Sequence, residues 1–208
     1  MKIAFISPYK ELKNLVDETS REIGIDVDVF IGTFKDGASI AKKLEKEGYN
    51  IIISRGATFY NIQEVVNIPV INCDITSFDI IYALSAAVKY SNKIGLIIYE
   101  KVAFNESEIS KALGIDLIYK TSYKNFSEAK KLVEEAKKGG AEVIIGGITS
   151  VNYAEKIGLE GILIKNSSET INHVLNKAKE MIMATRKEMI EKERLSHILK
   201  FSHEGIIV

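Results

Sequence analysis

Ile51-Ile52-Ile53-Ser54-Arg55-Gly56-Ala57-Thr58 is the stretch that decides the fold. Three β-branched residues in a row, with no polar residue alternating among them, read as a strand buried on both faces. The Ser-Arg-Gly break that follows reads as the turn from that strand into a helix. A strand buried on both faces needs helices above and below a parallel sheet, so this stretch points to an α/β architecture. The pattern recurs along a chain that holds 33 isoleucines. Strands are expected at Lys2 to Ser7, Asp26 to Ile31, Asn50 to Ser54, Pro69 to Cys73, Lys93 to Tyr99, Ile115 to Lys120, Glu142 to Gly146 and Gly161 to Ile164. Between them apolar residues take helical spacing, as at Ile40 and Leu44 before Gly48, or Ala129, Leu132, Val133 and Ala136 before Gly139. Asn105 with Glu108, and Asn125 with Glu128, fit the capping box that starts a helix.

A weak repeat divides the chain. Lys2-Ile3-Ala4-Phe5-Ile6 resembles Lys93-Ile94-Gly95-Leu96-Ile97, Asp26 starts a strand as Asp116 does, and Ile51-Ile52-Ile53 aligns with Val143-Ile144-Ile145, at offsets of 91, 90 and 92 residues. Offsets this constant over three strands predict two Rossmann-like lobes with parallel sheets, in a periplasmic-binding-protein-like architecture with a long C-terminal helix. The first lobe is expected over residues 1–76 together with the start of that helix, about 166–182, and the second over 77–165, with a hinge at the two crossovers. From Ser167 to about Lys200 there is neither glycine nor proline, and Ile171, Val174, Leu175, Ala178, Ile182, Met189, Leu195 and Ile198 keep near-helical spacing. A helix of that length outruns a single lobe, so residues 183–203 are expected to project as a signalling or dimerisation linker.

Composition excludes several classes. The chain has 208 residues, 46% hydrophobic and 27% charged, with 28 basic against 28 acidic side chains. That balance is too apolar for a disordered polyelectrolyte and argues against non-specific binding to nucleic acid. The apolar runs are too short to span a bilayer, and the amino terminus lacks the apolar core of a signal peptide, so a cytoplasmic protein without a membrane partner is expected. The lone cysteine, Cys73, excludes a disulfide scaffold and a zinc ribbon. No paired-histidine metal spacing, Walker A loop or dinucleotide glycine fingerprint follows any strand, so no metal and no cofactor is expected.

Ligands of open parallel sheets bind beyond the carboxyl ends of the strands. The candidates there are Ser7, Ser54, Arg55, Gly56, Ala57, Thr58, Ser77, Tyr99, Gly146, Gly147 and Thr149. Gly56 permits a tight turn, the following helix presents free N–H groups, and Arg55 adds a fork for a carboxylate or phosphate, which together make an anion cradle. The alternative is that Arg55 pairs with Asp74 and Gly56 merely turns the chain. Gly146-Gly147-Ile148-Thr149-Ser150 is the matching turn of the second lobe, while Ser77 is placed to cap the helix that Asp79 stabilises. No catalytic residue is assigned, since His173, His197 and His203 lie far from the strand ends.

The run Ile53 to Thr58, then Ile68-Pro69-Val70 leading to Ser77-Phe78-Asp79-Ile80, then Lys89-Tyr90 before Lys93-Ile94, then Ile145-Gly146-Gly147, resembles the N-terminal sensor domain of propionate-catabolism activators of the NtrC family, which are sigma-54-dependent. The resemblance runs from Met1 to Ile198. It implies a cytoplasmic two-lobed effector-binding domain of a transcriptional regulator, joined in the family to PAS, ATPase and helix-turn-helix domains. Contacts with DNA, ATP and the sigma factor then belong to domains outside this chain, and Glu204-Gly205-Ile206-Ile207-Val208 looks like the start of a PAS domain. The family's tricarboxylate effector implies Arg55 to Thr58 on one side of the cleft and Gly146 and Gly147 on the other. Few basic groups accompany Arg55, which favours a smaller or less charged effector.

The reading is therefore a sensor that binds a small anionic metabolite between its lobes and passes closure to a homodimerising C-terminal helix. Two rivals stand beside it. One is a racemase-like or decarboxylase-like enzyme using Cys73, and the other a dimerisation module with no ligand.

Overall fold

The computed structural model describes residues 2–99 and 106–203. Its first sheet holds β1 (Ile3–Ser7), β2 (Asp28–Ile31), β3 (Ile51–Ser54) and β4 (Val70–Asn72), with α1 (Lys10–Glu22), α2 (Phe34–Lys46) and α3 (Gly56–Gln63) between them. The chain then crosses over to α4 (Ser77–Ala87), which opens a second sheet of β5 (Lys93–Ile98), β6 (Asp116–Ser122), β7 (Val143–Gly146) and β8 (Glu160–Leu163). The intervening helices are α5 (Glu106–Leu113), α6 (Phe126–Lys138) and α7 (Ile148–Lys156), and the chain returns to the first lobe as α8 (Ser168–His203). The two sheets share one topology, β2-β1-β3-β4 and β6-β5-β7-β8, and every pairing is parallel. The eight expected strands and the α/β class are thus observed.

Alternation of side chains across each strand explains the isoleucine runs. Ile51 and Ile53 face a core with Leu12, Val16, Ile171 and Leu175, whereas Ile52 faces Ala41, Leu44 and Ile62 on the other side. In the second lobe Val143 and Ile145 pack with Ile80 and Leu84 of α4, while Ile144 packs with Val133 and Ala136 of α6. Each lobe is therefore closed on one face by the helix that follows a crossover. The first turns of α8 complete the first lobe, and α4 completes the second.

The helix starts refine the capping expectations. The N-cap of α4 is Thr76, not Ser77. Its hydroxyl accepts from the Asp79 N–H at 3.2 Å, and the Asp79 carboxylate accepts from the Thr76 N–H at 2.9 Å. Ser77 is the first helical residue. Asn125 caps α6 through the Glu128 N–H at 2.9 Å, although the Glu128 carboxylate reaches back to the Lys124 N–H rather than to Asn125 itself. Ser167 caps α8 by accepting from the Thr170 N–H at 3.2 Å. The expected cap at Asn105 and the expected strand at residues 204–208 lie outside the described residues.

At 36 residues, α8 is about 54 Å long. Ile171, Val174, Leu175 and Ala178 are buried in the first core and Ile182 packs against it. Beyond that point Met183, Met189, Ile190, Leu195 and Ile198 are exposed. No helix among the described residues is long and apolar enough to cross a membrane.

Candidate functional site

The carboxyl ends of both sheets face one cleft between the lobes. The first lobe contributes Tyr9 after β1, Phe34 after β2, and Arg55 to Thr58 after β3. The second contributes Tyr99 after β5, Tyr123 after β6, and Gly147 to Thr149 after β7. The cavity they line is about 70 Å³ and is partly open to solvent.

Local geometry explains why the chain turns there. Gly56 has φ +54°, a left-handed conformation that glycine adopts without a Cβ penalty, and this lets β3 break directly into α3. Phe34 also has a positive φ, +44°, which for an aromatic residue stores about 1–3 kcal/mol of strain. Its N–H donates to the Thr58 hydroxyl at 3.2 Å, tying the turn after β2 to the turn after β3.

Arg55 is the only cation lining the cleft among the described residues, and it is 7% exposed. One terminal nitrogen donates to the Tyr9 hydroxyl at 3.0 Å and to the Asn166 side-chain carbonyl at 2.5 Å, and the other donates to the Ile164 carbonyl at 3.4 Å. All three acceptors are neutral. No carboxylate lies within ion-pair distance of Arg55 among the described residues. The alternative pairing with Asp74 is not observed. Asp74 is exposed, burial pushes its carboxyl up and Lys177 draws it down, while its backbone carbonyl accepts from Asn166.

Asn166 joins the two crossovers. Its amide donates to the Asp74 carbonyl at 3.0 Å and to the Asp79 carboxylate at 3.3 Å, and the Ser167 N–H donates to the other Asp79 oxygen at 3.0 Å. Asp79 is 2% exposed, so this carboxylate is held by hydrogen bonds from Thr76, Asn166 and Ser167. A continuous chain of contacts runs from Arg55 through Asn166 to Asp79 and the start of α8.

Aromatic rings line and bridge the cleft. Phe59 meets Tyr60 at 4.9 Å between centroids, Tyr60 of the first lobe meets Tyr99 of the second at 5.6 Å, and Tyr99 meets Tyr123 at 5.5 Å. The Tyr123 hydroxyl lies beside the Thr149 and Ser150 hydroxyls, which draw its pKa down against the effect of burial. Burial raises the Tyr9, Tyr99 and Tyr123 phenols, so all three are neutral at physiological pH and act as hydrogen-bonding groups, not charges.

Of the residues expected at the site, Arg55, Gly56, Ala57, Thr58, Tyr99, Gly147 and Thr149 line the cleft. The others have different positions. Ser7 is fully buried and donates to the Tyr9 carbonyl at 2.7 Å, closing the turn from β1 into α1. Ser54 is fully buried and donates to the Ile6 carbonyl at 2.8 Å. Gly146 is a glycine for steric reasons, since a Cβ there would stand 2.0 Å from the Ile97 carbonyl oxygen and 2.4 Å from the Ser150 hydroxyl. Ser77 is half-buried in the first turn of α4 and is not part of the cavity wall. Phe34, Tyr60, Tyr123 and Asn166 were not among the expected residues. The strand-end rule finds Phe34 and Tyr123 once it is applied after the second and sixth strands as well.

Cys73 is 1% exposed in the first core, and burial pushes its thiol up to about 12. A second, larger cavity of about 910 Å³ lies behind the hinge. Its wall carries Glu11, Glu155, Glu160 and Glu169 against Lys165, an acidic surface that disfavours anions.

Two α/β lobes of one topology are joined by two crossovers, and among the described residues Arg55 is the buried cation at their shared cleft. The chain belongs to the propionate catabolism activator family, whose model matches residues 22–188. An NtrC family transcriptional regulator from Clostridium acetobutylicum has the same fold, with a TM-score of 0.78 and 28% identity over 89% of this chain and 98% of that one. A sugar transporter from Clostridium phytofermentans is 14% identical with a TM-score of 0.47, covering 88% of this chain and 93% of that one. A putative Asp/Glu racemase from Yersinia pestis is 12% identical with a TM-score of 0.36, covering 86% and 99%. The last two are too remote to bear on what this chain binds or does.

Proposed function

We propose that this chain is the ligand-sensing regulatory domain of a cytoplasmic transcriptional regulator, and that a small anionic metabolite binds in the inter-lobe cleft. The observation that carries this reading is Arg55. A buried guanidinium whose acceptors are all neutral keeps most of its desolvation cost, and an anion arriving at the cleft offsets it. The divisions at about residues 76 and 165 then act as hinge points, with 166–182 belonging to the first lobe and 183–203 to a linker. A ligand that engages Arg55 competes with Asn166 for the guanidinium. Because Asn166 also holds Asp79 beside the start of α8, binding alters the seating of that helix. The exposed apolar residues of its distal half support a homodimer through α8.

The enzyme reading is disfavoured by Cys73. A thiol raised to about 12 inside a core is protonated and inaccessible, which is the opposite of an activated nucleophile. The test is thermal unfolding of the protein against mono-, di- and tricarboxylates, amino acids and acyl phosphates, with Arg55→Ala as control. A ligand at about a hundred times its dissociation constant adds about 2.7 kcal/mol. Stabilisation by one of these classes, lost in Arg55→Ala, supports the reading. Equal stabilisation of both proteins overturns the site, and a flat response to every compound overturns the sensor reading in favour of a ligand-free dimerisation module.

A further inference from the structure

Resting on the homodimer proposed above, we infer that the distal half of α8 docks on a second copy of this chain, in the groove between α4 and β8, and not against the second copy's α8. Both surfaces are open in the single chain. The groove is the cavity of about 910 Å³ behind the hinge. β8 is the edge strand of its sheet, paired with β7 on one side, and Gly161, Ile162 and Leu163 line the groove. Tyr82 and Tyr90 line it from α4 and the turn that follows, yet they are 71% and 63% exposed. Large aromatic residues left open together on one surface mark a contact with another protein. The distal half of α8 is the other open surface, with Met183, Ile190 and Ile198 exposed beyond the first core.

The sequence of α8 decides what it can pair with. Two copies of α8 would need apolar residues at both seam positions of a heptad repeat. Over residues 183–198 every register puts a charged residue in the seam; the register with Met183 and Ile190, for example, also brings in Arg186 and Glu193. What the helix has instead is one narrow mixed face. Met183, Lys187, Ile190, Arg194 and Ile198 fall within about 80° of one another at about 3.6 residues per turn. Of the glutamates in this half, Glu188 and Glu193 point elsewhere and Glu191 borders the face. The groove is the complement of such a face. Its tyrosines receive the apolar row and the lysine and arginine stems, and its wall sets Glu11, Glu155, Glu160 and Glu169 against the single Lys165. The helix reaches another copy's groove rather than its own, because α8 leaves the groove at Ser168 and packs along α1, which carries Met183 about 22 Å away. Two such contacts related by a two-fold axis close the dimer. Each α8 is then held between its own first lobe and the second lobe of the other copy, so closure of either cleft acts on both helices.

The experiment is sedimentation velocity of the full chain over a concentration series, for wild type, Tyr82→Glu, Ile190→Glu and an equimolar mixture of the two variants. Both positions are exposed, so neither change enters a core. Each variant alone is expected to dimerise at least tenfold more weakly than wild type. The mixture is expected to recover dimer, because the Tyr82→Glu chain keeps an intact helix and the Ile190→Glu chain an intact groove. Recovery also shows that both variants are folded. If Tyr82→Glu dimerises like wild type while Ile190→Glu does not, helix meets helix: the homodimer stands and the groove is overturned. A mixture that recovers no dimer overturns the groove as well. Wild type that stays monomeric at every concentration, or an Ile190→Glu chain that dimerises like wild type, overturns the homodimer through α8 together with this inference.

Discussion

The turns after β3 and β7 occupy equivalent places in the two lobes, and the structure uses them in opposite ways. Each lobe has a buried carbonyl near the end of its first strand, Ile6 in one and Ile97 in the other, 91 residues apart. Each is answered by a serine hydroxyl. In the first lobe the donor is Ser54, the last residue of β3, at 2.8 Å. In the second lobe it is Ser150, four residues later on α7, at 2.9 Å. Moving the serine onto the helix requires the strand end to be bare, so position 146 is glycine where position 54 is serine. The next residue completes the contrast, because Arg55 stands where the second lobe has Gly147. One lobe supplies the charge and the other supplies the space, and a pseudo-symmetric fold thereby acquires an asymmetric cleft.

The largest expected effect is Gly146→Ala. Its Cβ would meet the Ile97 oxygen at 2.0 Å, backbone that cannot swing aside, so denaturant unfolding should show a loss of about 3 kcal/mol. Near-wild-type stability would mean that the second-lobe turn tolerates a side chain and that the contrast with Ser54 is accidental.

Cys73 sharpens the comparison from the first lobe alone, where it follows β4 and its N–H donates to the Ser54 carbonyl at 2.7 Å. Its folded pKa lies above the ordinary 9.0, at about 12. The unfolded chain therefore releases this proton first as pH rises. Its contribution to stability is complete below pH 9 and is lost between there and about pH 12, at up to about 1.4 kcal/mol per pH unit. Buried tyrosines add to the same alkaline slope, so the check is a shallower slope above pH 9 in Cys73→Ala than in wild type. Identical slopes would place the thiol outside the buried core.

Ser54→Ala and Ser150→Ala form a matched pair. Each removes the hydroxyl that answers the equivalent carbonyl and should cost about 1 kcal/mol in urea unfolding, although the Ser150 hydroxyl is shared with the Gly147 carbonyl at 3.0 Å. A much smaller loss in Ser54→Ala would show that the first lobe has another donor for its carbonyl, and a larger loss in Ser150→Ala would show that its bond to the Gly147 carbonyl also counts. The smallest expected effect is Gly147→Ala, whose Cβ would stand 3.4 Å from the Tyr123 hydroxyl, a contact relieved by a small ring movement. Its stability should change by less than about 0.5 kcal/mol while ligand affinity falls, and a large loss of stability would assign Gly147 to folding and not to space in the cleft.

Much of this was legible in the residues. Ile51-Ile52-Ile53 and its relatives located the eight strands because burial on both faces leaves no polar alternation, and the 91-residue offset located the two lobes. Arg55 and Gly56 stood out because a cation directly after a strand buried on both faces needs something to answer its charge, and glycine there marks a tight turn. Ser54 and Gly146 were legible only as strand ends. Whether such a residue faces the cleft or a neighbouring carbonyl depends on sheet register, which no local pattern records. Thr76 and Ser77 are both competent caps, and a one-residue difference in where the helix begins decided between them. Asn166 and Tyr60 act through partners about 90 to 110 residues away or across the lobes, so their roles emerge only from the packing.

The central claim is that an anion at Arg55 draws the lobes together over the cleft. The most direct measurement is the distance between spin labels at exposed Lys35→Cys in the first lobe and Lys124→Cys in the second, by pulsed electron resonance, with buried Cys73 left in place. It is made without ligand and with the carboxylate that stabilises the protein most, in wild type and in Arg55→Met. The account predicts a distribution that shifts and narrows on adding the carboxylate, and no change in Arg55→Met. One distribution, unaltered by a saturating carboxylate in either protein, would contradict it.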